Sequence, residues 1–593
     1  LCPLSSGIIG VFVSKKRKQR QMTEVESGQK VGKRMKQTGA ASKMLQGALI
    51  LSMAMVLSKL IGTLQKIPLQ NMGGDAVFGI YNTVYPLYSL MMTIALAGLP
   101  AAISKFVAED EAVGGTGEGL RVMRLSSVLL ALLGIVLGAA VYACAPLIGT
   151  WIDNSSVVPA VRTASLALLF VPVMTGMRGF FQGYQNMMPT AVSQITEQCA
   201  RVAVMIGLLI YLTGIGAKPE TIAAGALLGS AAGGAAGLIV MLGYWSRFRR
   251  AQRGSAGAEG AAVSTHKEST VRTGQPRQAG RESSWSLLKR ILLYAIPVCL
   301  GSLAVPLIGM VDSFTVPRLL KAGGAGEAGA MIQFGIYNRG IPIVQLVTML
   351  ATSLSVLFIP ALADAKARGD RELVSERTRL SLRWFWLLGL AASVGIAILA
   401  DPLNIALYQD TAGSGVMRWI AFTAVGSALS IISAALLQGV GIVRAPAVHL
   451  LAAAAAKTLL NLLLVPQLGI TGAAIAGVAA HFLAAALNIA LLARSTGLRI
   501  RAGAALAKPA LMLAGMTVVA GAVALAADAV LSALGLPARL VAAAASVAGA
   551  AAGGAVFLAG AVLAKLLTEE ELAMLPKIGR PLTALLKRVR LLR

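Results

Sequence analysis

Apolar positions in this chain run in blocks instead of alternating with polar ones. From about residue 44 onward, apolar stretches of roughly 20 residues or more follow one another with short polar breaks. A helix of that length crosses the ~30 Å hydrocarbon core of a bilayer. The short alternating segments of a transmembrane β-barrel are not seen. The blocks predict fourteen spans, at about 44–68, 76–107, 120–143, 160–181, 189–213, 221–245, 287–316, 332–363, 379–400, 415–438, 445–466, 471–494, 504–528 and 538–566.

One stretch occurs twice. Phe78-Gly79-Ile80-Tyr81-Asn82 returns as Phe334-Gly335-Ile336-Tyr337-Asn338, and Pro86 returns as Pro342. The same register brings Gln182-Gly183 onto Gln438-Gly439. Three landmarks at one offset imply an internal duplication. Spans 1–6 and 7–12 are then two lobes. Six crossings return the chain to its starting side, so the lobes share one orientation and are related by an axis along the membrane normal. The reading is an all-α polytopic membrane protein of 14 transmembrane helices, with two parallel six-helix lobes plus two C-terminal helices. Its parts are a basic cytoplasmic tail (1–43) expected to be disordered, an N-lobe (44–245), a cytoplasmic linker (246–286), a C-lobe (287–494), helices 13–14 (504–566) and an amphipathic cytoplasmic tail (568–593). The last opens on the capping box Thr568-Glu569-Glu570-Glu571. The chain begins on Leu1, and Met22, Met35 and Met44 are candidate starts.

Composition agrees: 56% of the 593 residues are hydrophobic and 13% charged, too few charges for a soluble protein of this length. The net charge of +28 suggests nucleic acid until its distribution is counted. With the N-terminus cytoplasmic, 42 of the 53 Lys and Arg fall in the tails and inner loops, and six fall outside: Arg162, Lys218, Arg318, Lys321, Arg418 and Arg539. That bias orients both termini inward and requires no nucleic acid. Four scattered cysteines without CxxC spacing imply neither a disulfide framework nor a zinc site. No Walker A, HExxH or GxSxG motif is present, so the sequence offers no enzyme, metal or cofactor.

The informative residues are ionisable groups at bilayer depth, where a charge needs water or a partner. Lys59 and Lys66 lie two turns apart on one helix face. Arg339 follows the second FGIYN, Arg178 sits near the end of span 4, and Lys457 lies in mid-span 11. Together they read as cations facing a cavity for an anion, against snorkelling for Lys66 and Arg178. Glu197 and Arg201 form an i,i+4 pair suited to a structural role. Asp312 is open to three readings: a cation ligand, a partner of a cavity cation, or a packed polar residue. Pro86, Pro100, Pro342 and Pro360 mark bends in or at the ends of spans 2 and 8.

The segments SKLIGTLQKIPL (58–69), FGIYNTVYPLYSLMMTIALAGLPAAISKFVAE (78–109), MRGFFQGYQNMMPTAVSQITEQ (177–198) and FGIYNRGIPIVQLVTMLATSLSVLFIPALADA (334–365) resemble the polysaccharide-transporter branch of the MOP exporter superfamily. Within it they are most similar to the MurJ-type lipid II flippases and SpoVB-like proteins. The resemblance implies a V-shaped pair of lobes, a lipid-tail groove at helices 13–14, and a monomer in the bacterial cytoplasmic membrane. Its substrate would be a lipid-linked sugar pyrophosphate moved from the inner to the outer leaflet. It places Arg339, Lys59 and, more weakly, Lys66 at the pyrophosphate. Ser89 stands where many members carry arginine. Asp312 matches a sodium-binding acid of some members, and Lys457 and Asn461 occupy the partner positions, where a lysine argues against sodium. The rivals are an exporter of teichoic acid or another polysaccharide precursor, a cation-driven multidrug antiporter, and a non-transporting scaffold of cell-wall assembly.

Overall fold

The computed structural model describes residues 47, 49–113, 117–263, 283–498 and 502–564, with 566, 567, 583, 584 and 587. The 1–43 tail, the capping box at Thr568 and most of the 568–593 tail lie outside the described residues.

The described residues form helices and turns, with no strand among them. The medium dictates this: each unpaired backbone group in hydrocarbon costs several kcal/mol, and a helix pairs all but its ends. In order the helices are α1 (49–64), α2 (Lys66–Leu96), α3 (Leu99–Ala112), α4 (Glu118–Ile152), α5 (Val158–Ser165), α6 (Val171–Gly183), α7 (Met188–Gly214), α8 (Pro219–Val263), α9 (Ser284–Leu320), α10 (Gly326–Asn338), α11 (Ile341–Ala367), α12 (Arg371–Ile398), α13 (Ala400–Tyr408), α14 (Ser414–Ala421), α15 (Thr423–Gly439), α16 (Ala445–Leu468), α17 (Ile470–Thr496), α18 (Ala502–Ala533) and α19 (Ala538–Leu563). Proline opens the first turn of α3, α6, α7, α11 and α16, where its missing N–H breaks no helical bond. Of the four prolines singled out in the sequence, Pro100 and Pro342 are such openers, while Pro86 and Pro360 lie inside α2 and α11.

Twelve helical stretches among the described residues are long and apolar enough to cross a membrane, against the fourteen expected. The difference lies in Leu49–Ala112 (64 residues) and Pro306–Ala367 (62 residues), each about three times the length one crossing needs. Both are interrupted by glycines at positive φ: Gly74 (77°) in the first, Gly324 (96°) and Gly326 (65°) in the second. The sequence separates spans 1 and 2, and spans 7 and 8, at these points. α8 runs past the expected span end at 245 into the segment expected to be linker; residues 246–253 are mostly good helix formers, and Gly254, Gly257 and Gly260 follow.

One apolar core joins α2–α8 and takes in Leu287, Ile291 and Ala295 of α9. The first half of α9 therefore packs on the N-lobe. Pro297, Pro306 and Pro317 lie within α9, and its last residues, Val316 and Leu320, belong to a C-lobe core with α10, α11 and α14–α17. α18 and α19 cross closely, with Gly549 and Gly553 of α19 against Ala520 of α18. They dock on Leu387 of α12 and on Leu399 between α12 and α13.

The duplication is visible in the packing. Asn82 and Asn338 each donate from Nδ2 to the carbonyl four residues back, at 2.8 and 2.7 Å. Gly183 packs on α3 and Gly439 on α11, each beside a backbone carbonyl. Most telling is the α2–α10 crossing. A methyl at Gly79 would lie 2.0 Å from the Met331 carbonyl oxygen, and a methyl at Gly335 would lie 2.0 Å from that of Asp75. Met331 is the repeat equivalent of Asp75, as Gly335 is of Gly79. The two copies thus meet each other reciprocally where the lobes join, and only glycine permits the approach.

Candidate functional site

Three groups of buried charge surround this junction. The first is built on Arg339, whose side chain is 2% exposed. It follows the last residue of α10, and the fork of its guanidinium faces the kinked start of α2. Nε and Nη2 donate to the two oxygens of Asp75 at 2.9 and 2.6 Å. Nη1 pairs with Asp410 Oδ1, and Nη2 donates to Asp410 Oδ2 at 3.1 Å. The Ala412 carbonyl accepts from Nη1, and the Tyr408 ring lies 5.4 Å below the guanidinium. Asp75 belongs to the N-lobe, and Asp410 lies in the turn between α13 and α14, so Arg339 ties the lobes together. The tie is one-sided: the repeat equivalent of Arg339 is Thr83, whose hydroxyl donates to the Gly79 carbonyl of its own helix at 2.8 Å and meets the other lobe at Met331 Sδ, 3.7 Å away. Asn71 of α2 extends the contact, donating to the Leu407 carbonyl (2.7 Å) and accepting from Gln409 (2.8 Å). A second inter-lobe link joins the α4–α5 and α9–α10 turns. There Lys321 donates to Asp153 (2.8 Å) and Glu327 (3.1 Å), and Glu327 accepts from the Ser155 hydroxyl.

The second group lies inside the N-lobe. Glu197 of α7 pairs with Arg201 at 2.8 Å, as the i,i+4 spacing suggests, and also with Arg178 of α6 at 2.9 Å. Arg178 therefore points inward, and it also donates to Ser193. Lys66 is 6% exposed. No carboxylate pairs with it among the described residues, and its ammonium lies 5.7 Å from the centre of the Tyr85 ring. Two of these three cations share one acid, and the third has none among the described residues.

The third group is in the C-lobe. Asp312 of α9 accepts from Lys457 Nζ (2.7 Å), from the Tyr337 hydroxyl (2.9 Å) and from Asn461 Nδ2 (3.1 Å). The sequence candidates Asp312, Lys457 and Asn461 are thus in contact, and the cation beside Asp312 is the lysine's own ammonium.

Of the residues read as facing an anion, Lys66 and Arg339 are buried in separate groups, and Lys59 is exposed. The sequence reading missed Asp75 and Asp410. Asp75 carried a signal: it stands three residues before the first FGIYN, and the junction is built from that repeat.

Residues 44–366 match the family described as "Polysaccharide biosynthesis protein", more than half of the chain. The chain belongs to this family. Among curated relatives, the uncharacterized membrane protein YabM of Bacillus subtilis is 32% identical over 445 residues, 75% of this chain and 79% of that one. The lipid II flippase MurJ of the same organism is 27% identical over 455 residues, 74% and 80%. Among solved structures, the lipid II flippase MurJ in an inward closed conformation superposes with a TM-score of 0.57 at 12% identity, covering 87% of this chain and 99% of that one. An inward-facing multidrug resistance MATE family transporter of the MOP superfamily gives 0.54 at 15% identity, 76% and 98%. The fold of this family member is therefore that of the MOP transporters, as the sequence motifs imply.

Proposed function

We propose that this protein is a flippase of the bacterial cytoplasmic membrane that moves an undecaprenyl-pyrophosphate-linked sugar from the inner to the outer leaflet, with the peptidoglycan precursor lipid II as its cargo. The observation that carries the reading is the distribution of buried charge. Arg178 and Arg201 share Glu197 inside the N-lobe, Lys66 is buried with no carboxylate partner among the described residues, and an excess of buried cations calls for an anionic ligand. Arg339 faces two acids, so in this state its end of the molecule repels an anion. That end is the one the Lys and Arg distribution assigns to the outside. The state is then sealed outward, with Arg339 as the clasp. On opening, the guanidinium exchanges carboxylate oxygens for phosphate oxygens, which suit the same fork. The relationship to MurJ and to the polysaccharide biosynthesis family supports a lipid-linked sugar as cargo. A multidrug antiporter with cationic cargo fits less well, because its interior should carry excess acid.

The test is depletion of the protein, with identification of the lipid-linked precursor that accumulates in the inner leaflet. Accumulation of lipid II, with loss of its outer-leaflet exposure, is expected. Accumulation of a different lipid-linked sugar would reassign the cargo. No accumulated precursor of any kind would overturn the flippase reading.

A further inference from the structure

The turn that carries Asp410 has a counterpart in the N-lobe. The repeat register brings Pro146-Leu147 of α4 onto Pro402-Leu403 of α13, and Ile152, the last residue of α4, onto Tyr408, the last of α13. Both helices stop on a left-handed residue, Asp153 (φ 60°) and Gln409 (φ 71°). Each turn then reaches the opposite lobe. Asp153 and Asn154 meet Lys321 and the Glu327 carbonyl, while Gln409 and Asp410 meet Asn71 and Arg339. The two inter-lobe links are copies of one another.

What stands behind the copies differs. In the N-lobe α4 runs unbroken to its turn, and its outer end leaves Leu147 (48%) and Trp151 (56%) exposed. In the C-lobe the helix breaks at Leu399, and the short segment beyond the break is α13. Leu403 of α13 packs against the cluster of Leu399, Ala524 and Ala545, the last two from α18 and α19. It packs also against the cluster of Ala400, Tyr408 and Met417, which Ile67 joins from the N-lobe.

The end of α13 is more telling. A helix leaves its last four carbonyls without partners of its own. Here the Ala406 carbonyl accepts from Arg539 Nε of α19 at 2.9 Å, and the Leu407 carbonyl from Arg539 Nη2 at 3.4 Å. The Leu407 carbonyl also accepts from Asn71 of the N-lobe at 2.7 Å. The guanidinium sits at the negative end of the helix dipole, where a cation is favoured. One carbonyl thus serves the C-terminal helix pair and the opposite lobe together. The next residue, Tyr408, donates to the Arg339 carbonyl at 2.8 Å.

We propose that α13 is a lever by which the C-terminal helix pair governs the outward seal, with Arg539 as the positioning residue that joins them. Arg539 on its end holds α13 so that Tyr408 and Asp410 stand where Arg339 meets them. When the pair shifts, α13 turns about the break at Leu399 and the clasp loosens. The N-lobe link, at the end of an unbroken helix, does not respond. The lever rests on the reading of Arg339 as the outward clasp and adds to it what controls that clasp.

The experiment uses the full-length protein in lipid nanodiscs, with its native cysteines replaced and spin labels at exposed positions. Met72→Cys with Thr411→Cys spans the clasp, and Thr150→Cys with Ala322→Cys spans the N-lobe link. Arg539→Leu should raise the population with the clasp apart about fivefold, the loss of one hydrogen bond at a hydrated site. It should leave the 150–322 distance unchanged. Arg539→Lys keeps a donor and a charge at the helix end and should restore most of the closed population. Coupling is reciprocal, so Arg339→Ala should speed amide hydrogen exchange at 538–545, an effect that a merely structural Arg539 would not transmit. If Arg539→Leu widens both labelled pairs alike, or neither, the lever falls. If Arg339→Ala widens the 72–411 pair without changing exchange in α19, the lever falls and the clasp stands. If Arg339→Ala leaves the 72–411 distance unchanged, clasp and lever fall together.

Discussion

At the scale of single residues, exposure decides which partner matters. Asp75 is 16% exposed at its side chain and Asp410 51%. Breaking a buried pair costs about 3–5 kcal/mol, whereas an exposed one is worth at most about 1. Asp75→Asn should therefore release the clasp and Asp410→Asn only loosen it. Spin labels at Asn71 and Gln409 read the inter-lobe distance directly. Arg339→Ala should lengthen that distance and stop flipping, and Arg339→Lys should restore only part of each, because one ammonium cannot replace a two-pronged fork. An Arg339→Ala protein with an unchanged distance would show that the glycine crossing alone seals the junction. Acid should act through Asp410, which lies outside the spans. Hydrogen bonds from Arg339 hold its carboxyl below the usual range, burial opposes them, and the Ala412 N–H assists. A lowered folded-state pKa means that the contact contributes fully above the ordinary carboxylate value of about 4 and is lost as pH falls through the lower folded value. The labelled distance should thus stay constant from neutral pH to about 4 and grow below it. The sequence made Lys66, Arg339, Asp312 and Lys457 stand out, because charge in an apolar span is conspicuous. It did not give their partners: Asp75 is 264 residues from Arg339 and Asp410 is 71. Of the contacts, Arg201 to Glu197 was legible, because helical spacing alone predicts it.

At the scale of elements, the α2–α10 crossing sets how close the lobes come. Alanine at Gly79 or Gly335 would place its methyl 2.0 Å from a backbone oxygen, which no rotamer relieves. Either substitution should hold the lobes apart and lengthen the 71–409 distance even with the clasp intact. An unchanged distance would show that the helices slide to accommodate the methyl. The repeat was legible as a repeat, but spacing along the chain does not say that the two copies touch. Hydropathy did mark the breaks near Gly74 and Gly324, between spans 1 and 2 and between spans 7 and 8, but not that the helices run on to meet there. In the C-lobe, Lys457→Met leaves Asp312 buried without its cation, and a fall of about 3 kcal/mol is expected. The double variant Asp312→Asn, Lys457→Met should recover most of it in thermal unfolding. No recovery would mean that the pair is needed for more than mutual neutralisation.

At the scale of the whole molecule, the charge asymmetry predicts that reporters fused within 255–280 or at the C-terminus are cytoplasmic. A periplasm-active reporter at either site would reverse the assignment of the sealed end. Deleting 504–566 removes nearly all of α18 and α19, whose packing on the rest runs through α12, Leu399 and α13. The lobes should still insert while transport is lost, measured as lipid II exposure per inserted protein. Full transport would remove any role for this pair in holding the lipid tail. The reciprocal glycine crossing has one more consequence. Two like halves that touch through the same patch on each are what a symmetric homodimer presents, and here a covalent connection runs between them through residues 264–282. If the crossing, the clasp and the docking of α9 on the N-lobe suffice for association, the connection is dispensable. Two separate polypeptides divided near residue 270 should then find each other in the membrane and work as one, much as their ancestors would have before a fusion joined them.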